Sequence, residues 1–139
     1  MKEQLAKHLR DVGHEVVDLG AHSTDRVDYP DYGAAVGRSV ASGAVDAGLC
    51  VCGSGIGIGM AANKIAGVRA ATVHDATSAR LSREHNDANV ICMGERLIGP
   101  LVARDALDAW LGATFEGGRH VARVEKLDAL GGESAHVVG

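Results

Sequence analysis

The chain has 139 residues, 46% of them apolar but only 3% aromatic, and a formal net charge of −4. That length suits one domain with one core, packed from Ala, Val, Leu and Ile rather than from rings. The acidic balance excludes a global basic field for nucleic acid, and no apolar run reaches the roughly 18 residues of a membrane span.

Taken in order, Leu5, His8, Leu9 and Val12 recur at helical spacing and predict a helix over residues 1–12 that Gly13 ends. Because the chain opens as an amphipathic helix, residues 1–5 do not read as a secretory leader. Three cysteines, two of them on one strand, argue against a disulfide framework. The expectation is a cytoplasmic protein.

Residues 14–20 alternate as a short strand, and a polar loop over 21–29 leads to Pro30 at the start of an Ala-rich helix that stops near Gly43. Residues 47–51 are the next strand. It runs into Cys52-Gly53-Ser54-Gly55-Ile56-Gly57-Ile58-Gly59, four glycines alternating with other residues, and then a helix over 57–66 ended by Gly67. Residues 68–73 form a strand, Asp75 caps a helix to about Asn86, and 88–94 form a further strand. Helices over 98–112 and 118–130 complete a single domain spanning 1–130, and 131–139 are expected to be a disordered tail. Strands alternating with helices predict an α/β fold with a parallel sheet covered on both faces.

The glycine stretch carries the chemistry. A strand, a glycine turn and a helix aim backbone N–H groups at an anion, and glycine lets the backbone approach a ligand closely. Cys52 ends its strand, where open parallel sheets place their sites, and a thiol among N–H donors at a helix start favours the thiolate. Cys50 and Cys92 read as small core residues. Ser54 is either a helix-capping hydroxyl or a reactive partner of Cys52. The nucleotide fingerprints fail: no Gly-Lys-Ser/Thr ends the loop, and the Gly-x-Gly-x-x-Gly spacing is absent.

Arg83-Glu84-His85-Asn86-Asp87-Ala88-Asn89 closes a helix just before a strand; it is a solvated helix end or holds His85 as an acid–base. Glu95-Arg96 follows a strand at its carboxyl edge. In Gly117-Gly118-Arg119-His120-Val121-Ala122-Arg123, two arginines lie four apart on one helix face near its positive end. They form a solvated basic face or a phosphate clamp.

These stretches, with Gly13-His14-Glu15-Val16-Val17-Asp18-Leu19-Gly20, Val27-Asp28-Tyr29-Pro30-Asp31-Tyr32, Ala61-Ala62-Asn63-Lys64, Gly94-Glu95-Arg96 and Phe115-Glu116-Gly117-Gly118-Arg119-His120, resemble the type B ribose-5-phosphate isomerase family, which includes galactose-6-phosphate isomerase subunits. The match runs from about residue 2 to 129.

The resemblance implies a Rossmann-like three-layer αβα sandwich and an aldose–ketose isomerase without metal or other cofactor, working as a homodimer or dimer of dimers. It implies Cys52 as the base that moves a proton between C1 and C2, and Ser54 as the group exchanging protons with the sugar oxygens. The amides around Gly53, Gly55 and Gly57 would hold the enediolate. His85 would open the ring beside Asn86, and Tyr29 would line the sugar pocket. Arg96, Arg119 and Arg123, with His120 nearby, would clamp the phosphate, some of them from a neighbouring subunit.

Some family members carry a glutamate base at the position of Ile58, which cannot ionise. Family members also begin with a strand and an Asp-His-Ala-Gly loop, whereas this chain opens at the first helix, so a sheet without that first strand is expected. The expected substrate is ribose 5-phosphate, converted to ribulose 5-phosphate. A tetrose phosphate or hexose 6-phosphate is the alternative, as is a non-catalytic sugar-phosphate-binding subunit lacking the front loop.

Overall fold

The computed structural model describes residues 1–20 and 27–131. Its elements are α1 (Lys2–Asp11), α2 (Tyr29–Ala41), β1 (Gly48–Cys52), α3 (Ile56–Asn63), β2 (Ala70–Thr72), α4 (Ala76–Asn86), β3 (Val90–Gly94), α5 (Pro100–Gly112) and α6 (His120–Gly131). The local reasons match the expectations. Pro30 stands in the first turn of α2, Gly13 follows α1 at φ +101°, and Asp75 and Ser78 form a reciprocal capping box on α4.

The sheet has the order β1-β3-β2 and is parallel throughout, with Cys50 opposite Cys92 and Cys52 opposite Gly94. All five residues of the central strand β3 are buried, and their side chains alternate between two cores. Ile91 and Met93 pack with Leu5, Val73, Leu107 and Trp110 beneath α1, α4 and α5. Val90 and Cys92 pack with Val40, Cys50, Ile58, Ala62 and Val68 beneath α2 and α3. Each large apolar side chain buried there contributes about 2 kcal/mol. This is the Rossmann-like αβα sandwich expected.

Residues 14–20 differ from expectation: the segment joins no strand ladder, and most of it is exposed. A cleft of about 310 Å³, lined by Leu9, Val36, Leu49, Leu107 and Trp110, separates it from β1. A strand exists only where a neighbour accepts its hydrogen bonds, and across this cleft none does. Its alternation therefore yields no strand.

Gly131 closes α6 instead of opening a tail. The rest of the expected tail, 132–139, and the loop residues 21–26 lie outside the described residues.

Candidate active site

The glycine turn folds back on the end of β3. Gly55 takes φ +78° as the residue before α3, and a Cβ there would stand 2.8 Å from the Met93 carbonyl carbon. A Cβ on Gly94 would stand 2.3 Å from the carbonyl carbon of Ser54. Only hydrogen fits at both positions, so strand end and turn lie backbone against backbone. Thr72 on β2 donates its hydroxyl to the Gly55 carbonyl at 3.0 Å and fixes the turn from the far side of β3.

Around this turn the structure gathers five of the expected side chains and amides. The Gly55 N–H donates to the Cys52 sulfur at 3.1 Å. The Ile56 N–H donates to Ser54 Oγ at 3.2 Å, so Ser54 does cap the first residue of α3 while standing one residue from Cys52's turn partner. The Tyr29 ring lies against Gly57, close enough that a Cβ there would stand 2.7 Å from the phenol oxygen. The Arg96 side chain runs past Gly53, held by its own N–H bonded to the Gly53 carbonyl at 3.0 Å. The first-turn amides of a helix have no intrahelical partner, which makes this mouth suited to an anion. Ile58 is buried in the α2–α3 core, so no ionisable group takes its place beside the turn.

The second set forms elsewhere. His85, near the end of α4, stacks on His120, the first residue of α6, with ring centroids 4.5 Å apart and planes 13° from parallel. His85 Nε2 lies 3.3 Å from Glu116 Oε1. The loop is tied down by the Glu116 N–H, which donates to the Glu84 carbonyl at 2.9 Å, and by the His120 N–H, which donates to Gly117. Gly117 and Gly118 take φ +70° and +53° to turn the chain into α6. Burial first, then the neighbouring His85 and Arg119, hold His120 below the usual imidazole range.

Arg119 precedes α6 rather than lying on it, and Arg123 sits in its first turn. The pair therefore flanks a helix start instead of sharing a helix face. Both are exposed. Asn86 is also exposed and borders a cavity of about 550 Å³ with Asn63, Arg69, Asp128 and Leu130.

The two sets sit on opposite edges of the sheet. Cys52 and Gly94 mark its carboxyl edge. α4 runs back from that edge and ends at Asn86, next to the start of β3 at Val90. Five residues of β3 separate the edges, about 13 Å. Within one chain, Cys52, Ser54, Tyr29 and Arg96 are together, and His85, His120, Arg119 and Arg123 are together, but the groups are apart.

Sequence reasoning overlooked Glu116 as a site residue. Its signal was a carboxylate directly before the Gly117-Gly118 turn, and only the fold brings it to His85. Cys50 and Cys92 are 3% and 0% exposed and belong to the core, as expected. A hydrogen bond to Cys50, with burial, pushes the Cys92 thiol up.

The sequence model of the family described as Ribose/Galactose Isomerase matches residues 1–127. The chain belongs to that family. This isomerase is 48% identical over 130 residues to Escherichia coli ribose-5-phosphate isomerase B, covering 94% of this chain and 87% of that one. It is 38% identical to D-erythrulose-4-phosphate isomerase of Pectobacterium atrosepticum, covering 91% and 84%. It is 39% identical to a galactose-6-phosphate isomerase subunit of Clostridium acetobutylicum, covering 84% and 67%.

Among solved structures, ribose-5-phosphate isomerase B of Clostridium thermocellum superposes with a TM-score of 0.93 at 47% identity, over 95% of this chain and 89% of that one. The Mycoplasma genitalium enzyme with bound ribulose-5-phosphate superposes with a TM-score of 0.91 at 38% identity, over 96% and 89%.

Proposed function

We propose that this isomerase interconverts ribose 5-phosphate and ribulose 5-phosphate in the cytoplasm, as a homodimer whose sites are each built from two protomers. The observation that carries the reading is the Gly55 amide on the Cys52 sulfur, in the glycine turn that opens α3. The separation of the two residue sets supports the dimer: one protomer's carboxyl edge supplies Cys52, Ser54, Tyr29 and Arg96, and its partner's amino edge supplies His85, Asn86, Arg119, His120 and Arg123.

His85 acts first, moving a proton between the anomeric hydroxyl and the ring oxygen so that the furanose opens; imidazole is the side chain suited to that at neutral pH. The Cys52 thiolate then takes the proton from C2 of the aldehyde form. The C2–H electron pair becomes the C1–C2 double bond, and the carbonyl pair moves onto O1, where the Gly53–Gly57 amides stabilise the negative charge. Ser54 passes the O2 proton to O1. Cys52 returns its proton to C1 as the C2 carbonyl forms, so no electrons leave the sugar. Arg96, Arg119 and Arg123 bind the phosphate and anchor the chain while the reacting carbons move.

The test is a substrate panel: ribose 5-phosphate, a tetrose 4-phosphate and galactose 6-phosphate, assayed side by side by ketose formation. Higher kcat/KM with ribose 5-phosphate than with the others is expected. Preference for either other sugar reassigns the substrate within the family, and turnover of none leaves a binding subunit.

A further inference from the structure

We propose that His85, Glu116 and His120 form a zinc-binding tripod, and that zinc held there shuts the enzyme by occupying its ring-opening histidine. The ligating atoms of the three side chains all lie within 4.8 Å of one another. Two imidazoles and one carboxylate are a donor set that Zn²⁺ takes readily, leaving a fourth position for water. In a tetrahedral zinc site with ligands at about 2.1 Å, neighbouring ligand atoms are about 3.4 Å apart. His85 Nε2 and Glu116 Oε1, at 3.3 Å, are already at that spacing.

The His85 and His120 rings are stacked almost parallel, so closing the tripod turns the His85 ring out of that stack as well as drawing the ligand atoms together. Drawing the farthest pair in from 4.8 Å asks for about 1.4 Å of side-chain movement. Glu116 is on an exposed segment and its side chain is half exposed, so it and His85 can adjust. The backbone that carries them is fixed, since the Glu116 N–H is bonded to the Glu84 carbonyl. Arg119 and Arg123 flank the site and oppose a cation; the Glu116 carboxylate is the group that offsets them. Nothing in the proposed isomerisation moves a proton through Glu116, whose carboxylate lies beside the stacked histidine pair.

Binding itself stands on geometry alone, while the inhibition rests on the role proposed for His85. The experiment separates the two. Co²⁺ is titrated into the purified full chain as a spectroscopic substitute for Zn²⁺, and the visible absorption of the bound ion is followed in wild type, Glu116→Gln, His120→Asn and Cys52→Ala. The expected result is one ion per chain with the intense bands of a tetrahedral site in wild type and in Cys52→Ala. Glu116→Gln and His120→Asn should each weaken binding at least tenfold.

In parallel, Zn²⁺ should inhibit wild-type turnover reversibly on chelation, and Glu116→Gln, scored against its own metal-free turnover, should need at least tenfold more Zn²⁺ for the same fractional inhibition. Binding unaffected in Glu116→Gln, or abolished in Cys52→Ala, overturns the tripod. Cobalt binding at the tripod without any zinc inhibition overturns the inhibitory role and, separately, the assignment of His85.

Discussion

The backbone N–H of Gly55 donates to the sulfur of Cys52 at 3.1 Å, three residues back along the same turn. The bond exists because Gly55 takes a left-handed φ that swings its amide toward the strand end. It places a donor where negative charge sits when the thiol acts as a base.

Replacing Cys52 by Ala should therefore lower kcat by at least about 100-fold, the usual cost of removing a general base, while KM for the sugar phosphate changes little. Cys50→Ala should be close to neutral in kinetics, since that side chain is 3% exposed and packs in the core. Iodoacetamide should modify Cys52 alone, with protection by substrate, as read by peptide mass mapping. Near-normal kcat in Cys52→Ala would move the base to another residue.

Because Cys52 and His85 lie on opposite edges of one chain, two dead variants should rescue each other. Cys52→Ala and His85→Ala are each expected to be nearly inactive on the furanose form. Mixed, unfolded together and refolded, they form heterodimers in which one of the two sites carries both residues. Random pairing should restore about a quarter of wild-type turnover. No recovery, with heterodimers confirmed by native mass spectrometry, means that the site is built within one protomer or does not use both residues.

The close approach of Gly94 to Ser54 makes a second kind of test. Gly94→Ala puts a methyl 2.3 Å from backbone that has no rotamer to yield. The turn must shift, at a cost of about 2 kcal/mol or more, and Cys52 and Ser54 shift with it. Lower thermal stability together with lost activity is expected. Full activity would show that the turn moves without consequence.

His120 sets a pH dependence of stability. Its folded-state pKa is depressed, first by burial and then by His85 and Arg119, with Arg123 adding to them and Glu116 opposing. The unfolded chain therefore binds more protons than the folded one between the lowered value and the ordinary value of about 6.5. Stability should fall as pH drops through that window and be fully present above it. In His120→Asn, the slope of Tm against pH from about 7 to 5 should flatten; an unchanged slope would assign the proton uptake to another group.

Much of this protein was determined by its sequence. Short-range patterns set the helices, since Pro30, Asp75 and the apolar spacing of α1 act within one or two turns. The glycine turn, the core positions of Cys50 and Cys92, and the acid–base and arginine blocks were legible for the same reason: each is a contiguous stretch. What the tertiary structure decided depends on partners distant in the chain. Residues 14–20 alternate like a strand, yet whether they become one rests on a neighbour's hydrogen bonds, and the cleft beside β1 provides none. Glu116 joins His85 only because α5 returns the chain to the end of α4. The decisive case is the division of the site. A helix of 11 residues carries the chain back about 16 Å, across the width of the sheet, so His85 follows the Cys52 turn in sequence but emerges on the opposite edge.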